Sequence, residues 1–248
     1  MPDMSLKQLV SELKEALGDN LVSVTLYGPT ALEEASRLPE DVEHPILIVM
    51  EELGLESLRK LASPIQKWRG SGHPKPLVFT RERLKHSSES FPVELLDMKE
   101  ARRVLHGEDS ILKLEVRRTH FQQELAANLK TELLALRSSF LENHGDGSAL
   151  RKTLVDSLSG LRLLLRATLR MFVPVCPSTH RGVLESLKIH LPVDASVYEE
   201  VEALRHAEAP EGIEDLFVCY IREVEKLIDG TDALRVKRGG ATYPPFRG

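Results

Sequence analysis

Arg162, Arg166 and Arg170 recur every four residues, a spacing that aligns them on one face of a helix. Guanidinium forks in a row fit carboxylate or phosphate ligands. The same stripe also describes a solvated helix face paired with acids on a neighbouring helix, which is the plainer expectation. Arg81 and His86, separated by four residues, match the spacing of a ribonuclease motif. Such a motif belongs on a helical domain, and here it falls among alternating strands and helices, so the match is read as coincidence. The nine histidines, His73, His86, His106, His120 and His144 among them, show neither H-x3-H nor H-E-x2-H spacing, and no zinc site is readable. Cys176 and Cys219 fit neither a metal-ligand spacing nor a disulfide framework and point to a reducing compartment. G-x-S-x-G, Walker and G-x-G-x-x-G motifs are absent, and Ser71-Gly72 in GSGHPKP reads as a flexible connection.

The elements that would position these groups change character along the chain. Residues 4–17 carry Leu6, Leu9, Val10, Leu13 and Leu17 at helical spacing, closed by Gly18. LVSVTLYG, residues 21–28, is a strand entering a tight turn. Ile46 to Met50 is continuously apolar and predicts a strand buried on both faces. Residues 54–69 predict a crossover helix with Leu55, Leu58, Leu61, Ile65 and Trp68 on its core side, Trp68 being core packing. A third strand follows at 76–80, a short helix at RERLKHSSES and a fourth strand at FPVELLDM, residues 91–98. Alternating elements of this kind predict an α/β or α+β mixed-sheet domain over residues 1–112. Leucine-rich helical patterns over 115–142, 149–173, 195–208 and 213–229 then predict an antiparallel helical bundle spanning 113–232. The Gly/Pro-rich end, 233–248, is expected to be a flexible tail.

A strand ending in Leu26-Tyr27-Gly28, the apolar run ILIVME, then KPLVFT, FPVELLDMKEARRVLHG and a long helix resemble the DNA polymerase β-like (minimal) nucleotidyltransferases. The likeness is to the subgroup with a helical bundle fused behind the catalytic domain, and it covers residues 4–230. The resemblance implies a Gly-Ser turn that receives a triphosphate, two acids opening the next strand, and a third acid on a neighbouring strand. Those acids hold magnesium, which neutralises charge on the phosphoryl group being transferred. Carried over position by position, Gly28 matches the turn and Thr30 supplies the nearest hydroxyl, giving a nucleotide-binding pair. Pro29 stands where serine is expected and has neither hydroxyl nor N–H to offer. His44 and Ile46 stand where the two acids are expected. Imidazole suits softer metals than magnesium, and an alkyl group binds none. Glu94 is the candidate third, catalytic acid, with Asp97 next. Asp41 and Glu43 lie just upstream of the strand as D-x-E and are read as loop charges facing solvent.

A net charge of −5 lacks the basic footprint of a general nucleic-acid binder. The most apolar window, Leu158 to Val175, is broken by the three arginines, so no lipid-spanning segment is expected. The cytoplasm is the expected compartment. The resemblance with its altered motif implies a degenerate, non-catalytic nucleotidyltransferase-like protein. It would bind a nucleotide or other ligand, or a protein partner, with no metal cofactor. The alternative is an active enzyme, dependent on magnesium, that transfers a nucleoside monophosphate to a small molecule or protein.

Overall fold

The computed structural model describes residues 4–32, 44–177 and 179–237. The fold is mixed α+β, and the chain divides into two compact units, one ending at Arg117 and the next starting at Arg118. The sequence placed that boundary after residue 112.

The first unit opens with α1 (Leu6–Leu17), started by a capping box in which Ser5 and Gln8 bond each other's backbone. Leu9, Leu13 and Leu17 bury its apolar stripe. A four-stranded sheet follows, in the order β3-β2-β1-β4, built from β1 (Leu21–Tyr27), β2 (Ile46–Met50), β3 (Leu77–Thr80) and β4 (Arg102–Gly107). β1 pairs antiparallel with β2 and β4, and β2 pairs parallel with β3. The parallel pair needs a crossover, supplied by α2 (Leu55–Gly70). One sheet face, with Val24, Leu26, Ile46, Ile48 and Met50, packs with Leu9 and Leu13 of α1 and Leu61 and Trp68 of α2. Asn20 clips the start of β1 to the end of β2, donating to the Glu52 carbonyl at 2.9 Å and accepting from its N–H at 2.8 Å. β4 ends on Gly107 at φ +76°, where a Cβ would lie 1.9 Å from the Val22 carbonyl oxygen. Only glycine lets β1 and β4 approach so closely.

Two readings of this unit are corrected. Residues 91–98 are not a strand: Pro92–Glu100 form helix α4, and the fourth strand is Arg102–Gly107. Proline at the first helical turn with Glu94 just behind it starts a helix, and the alternation of RRVLHG carries the strand instead. Leu55 and Leu58 do not reach the core: they are 66% and 50% exposed, while Leu61 and Trp68 are buried. Short α3 (Arg81–His86), capped by Thr80, continues into a single 3-10 turn, Ser87–Glu89.

The second unit is helical. α5 (Arg118–Glu142) packs against α6 (Gly147–Arg170) and α9 (Ile213–Lys237), and α6 also meets α7 (His180–His190) and α8 (Ala195–Ala203). Leu150, Leu154, Leu158, Leu161 and Leu165 form a fully buried seam on α6. Among the described residues this unit has five helices where four were expected. The extra one is α7, capped by Thr179 and burying Val183, Leu184 and Leu187. Residues 233–237, expected in the tail, complete α9; 238–248 lie outside the described residues.

Candidate functional site

The turn after β1 is closed by its own backbone. Gly28, at φ +82°, donates its N–H to the Ala101 carbonyl at 2.9 Å, and its carbonyl accepts from Ala31 at 3.0 Å. A Cβ there would meet Pro45 Cγ at 3.5 Å, so conformation rather than space calls for glycine. Pro29 adds no donor. Thr30 is 5% exposed and its hydroxyl is buried without a hydrogen-bond partner among the described residues. It therefore lies beneath the surface of the unit. Burial pushes the neighbouring Tyr27 hydroxyl up to about 12.

Strand parity decides what β2 offers. Side chains alternate across a strand, so Ile46 shares a face with Ile48 and Met50, the face under α1 and α2. His44 follows the same parity: it is buried, with its ring centroid 5.0 Å from that of His73 and 6.5 Å from that of Trp68. His73 in turn stacks on Trp68 at 3.8 Å. The two positions singled out in the sequence thus look into a packed core. On the opposite face stand Pro45, Leu47 and Val49, and the last two are buried as well. Neither face of β2 carries a carboxylate. Asp41 and Glu43 lie outside the described residues.

Glu94 is placed on the first turn of α4 rather than on a strand, half-buried, with one carboxylate oxygen buried and unbonded among the described residues. Asp97 follows on the same helix, three residues later and so on the same side. Among the described residues, no group of three or more His, Cys, Asp or Glu side chains is arranged to hold a metal ion. His44, just before β2, offers only nitrogen and β2 itself only alkyl groups, and neither fits magnesium, which takes oxygen ligands.

The arginine stripe of α6 is engaged within its own unit. Arg162 pairs with Glu202 of α8 at 2.6 Å, Arg166 donates to the Pro177 carbonyl at 3.3 Å, and Arg170 is buried. Glu202 also takes Arg205 at 3.0 Å. Burial opposes ionisation of Glu202, yet the bonds and charges of Arg162 and Arg205 prevail and hold its carboxyl below the ordinary range. Nearby His180 is held low by burial, with the Arg162 charge acting the same way. In the first unit, Arg81 is committed to Glu51 at 2.8 Å and to Glu108. His86 instead lines a groove that Arg81 does not, so the ribonuclease spacing assembles no joint site.

That groove, at the end of β3, was not anticipated. Its lining includes Phe79 from β3 and Arg83, His86, Ser90 and Phe91 from α3 and the residues after it. The i, i+3, i+7 spacing of Arg83, His86 and Ser90 was the available signal. No protein-family model matches the chain, and no curated protein matches it.

Proposed function

We propose that the chain is a degenerate nucleotidyltransferase-like protein that acts without nucleotidyl transfer, as a cytoplasmic ligand-binding or protein-interaction module. The observation that carries the reading is the donor set of β2. With the His44 imidazole just before the strand buried and the strand itself apolar on both faces, β2 has nothing to neutralise a transferred phosphoryl group. The turn adds weight, because Gly28 gives its N–H to Ala101 and Pro29 has none. Cys176 and Cys219 are not joined in a disulfide, which agrees with a reducing compartment. Among the described residues, no helix is long and apolar enough to cross a membrane.

The test is incubation of the full chain with radiolabelled nucleoside triphosphates and magnesium, followed by scoring of label on the protein and on added small-molecule acceptors. The expected result is no label above that of a heat-denatured control. Incorporation abolished by Glu94→Ala overturns the reading in favour of an active transferase.

A further inference from the structure

The groove at the carboxyl end of β3 has the makings of a ligand site in its own right. Its volume is about 480 Å³, within the range of small-molecule pockets. β2 and β3 are the parallel pair of the sheet, and crevices beyond the carboxyl ends of parallel strands are where open sheets receive ligands. Because β1 runs antiparallel to β2, the Gly28 turn sits beside the start of β2, with Leu26 opposite Ile46. The groove lies beyond the other end, where Met50 pairs with Thr80. The two places are separated by the length of the strand, roughly 15 Å.

Charge in the groove has one sign. Arg81, on the same helix, is neutralised by Glu51 and Glu108. The guanidinium of Arg83 and the imidazole of His86 take no ion pair and no hydrogen bond among the described residues, and no carboxylate lines the groove. Of the hydroxyls, that of Thr80 accepts from the Arg83 N–H at 3.2 Å and that of Ser87 donates to the Arg83 carbonyl at 2.8 Å. The Ser90 hydroxyl has no such bond among the described residues. Beside these polar groups stand two phenyl rings, Phe79 and the half-exposed Phe91. An exposed phenyl next to an unneutralised guanidinium is the composition of a surface that takes a flat ring bearing a negative headgroup.

We propose that this groove binds a small aromatic anion, a ring carrying one carboxylate or phosphate, with Arg83, His86 and Ser90 on the headgroup and Phe79 and Phe91 on the ring. The proposal does not rest on the nucleotidyltransferase reading and survives its failure. Its test is titration calorimetry of the full chain with phenyl phosphate and with phenylacetate, set against inorganic phosphate and benzyl alcohol. One of the aryl anions is expected to bind at least tenfold more tightly than either half-ligand, and the tighter of the two identifies the headgroup. Arg83→Ala is expected to weaken that binding tenfold or more, and Phe91→Ser several-fold. Arg83 and Phe91 are exposed, so folding should survive, and unchanged circular dichroism confirms it for each variant. Absence of binding by both aryl anions at millimolar concentration overturns the proposal, as does an affinity unchanged in Arg83→Ala.

Discussion

The backbone N–H of Gly28 reaches the carbonyl of Ala101 at 2.9 Å, so the residue before β4 occupies the donor that a phosphate-binding turn would need. That bond extends the β1–β4 ladder one step beyond the pairing of Tyr27 with Arg102. The turn is therefore built as part of the sheet, and its glycine serves the backbone path.

The face assignment of β2 makes a stability prediction. Ile46 is fully buried opposite Leu26 and under α1 and α2. Ile46→Asp should destabilise the protein by about 3 kcal/mol or more, because a carboxyl without partners is pressed into an apolar layer. Urea denaturation measures it. A cost below about 1 kcal/mol would mean the side chain can reach water.

Glycine at two turns should differ in importance. Gly107→Ala collides with the Val22 carbonyl as well as adopting φ +76°, and should cost more than about 2 kcal/mol. Gly28→Ala meets only Pro45 at ordinary contact distance and should cost about 1–2 kcal/mol, the penalty of the left-handed conformation alone. The difference in denaturant midpoint between the two variants checks the order.

Acid should loosen the helical unit in two stages. His180 has a folded pKa below its ordinary value of 6.5, so the unfolded chain binds the proton more readily. Its contribution is present above that value and is lost as pH falls below it. Glu202, lowered from 4.5, follows the same sign in the next window down. Because Glu202 is more than a third exposed, solvent screening limits its share to under about 1 kcal/mol. In melting-temperature profiles, His180→Asn should flatten the decline just below pH 6.5, and Glu202→Gln the decline below pH 4.5.

Trp68 is the sole tryptophan and is fully buried against His73 at 3.8 Å. Its fluorescence therefore reports the first unit alone. His73→Ala should shift the emission to longer wavelength, increase quenching by acrylamide, and lower stability by about 1 kcal/mol, as removal of a stacked ring does. An unchanged spectrum would place the indole elsewhere.

Periodicity revealed most of the fold, because burial of α1, β2 and the α6 seam writes apolar residues at the spacing of each element. It failed at FPVELLDM, where a continuous apolar run serves strand and buried helix equally well; Pro92 at the helix start was the discriminating residue. It also passed over α7, whose short stripe follows the proline-rich PVCPS and whose Thr179 cap was the signal. For the site, counting positions from Gly28 found His44 and Ile46 but not the face they occupy. Ile48 and Met50 of the same parity, packed with Trp68, settle that only once α2 is seen over the sheet. The groove escaped notice because its lining is brought together from separate stretches, with Leu53 lying before α2 and the rest after it.

Calorimetric titration of ATP into the full chain, with and without magnesium, tells an idle β2 from a working metal site. With no pair of carboxylates on β2, magnesium has nothing to bridge to, and any ATP affinity should agree within threefold between the two conditions. A tenfold or greater gain on adding magnesium, lost again in Glu94→Ala, would mean that the protein holds the metal with Glu94 as a ligand.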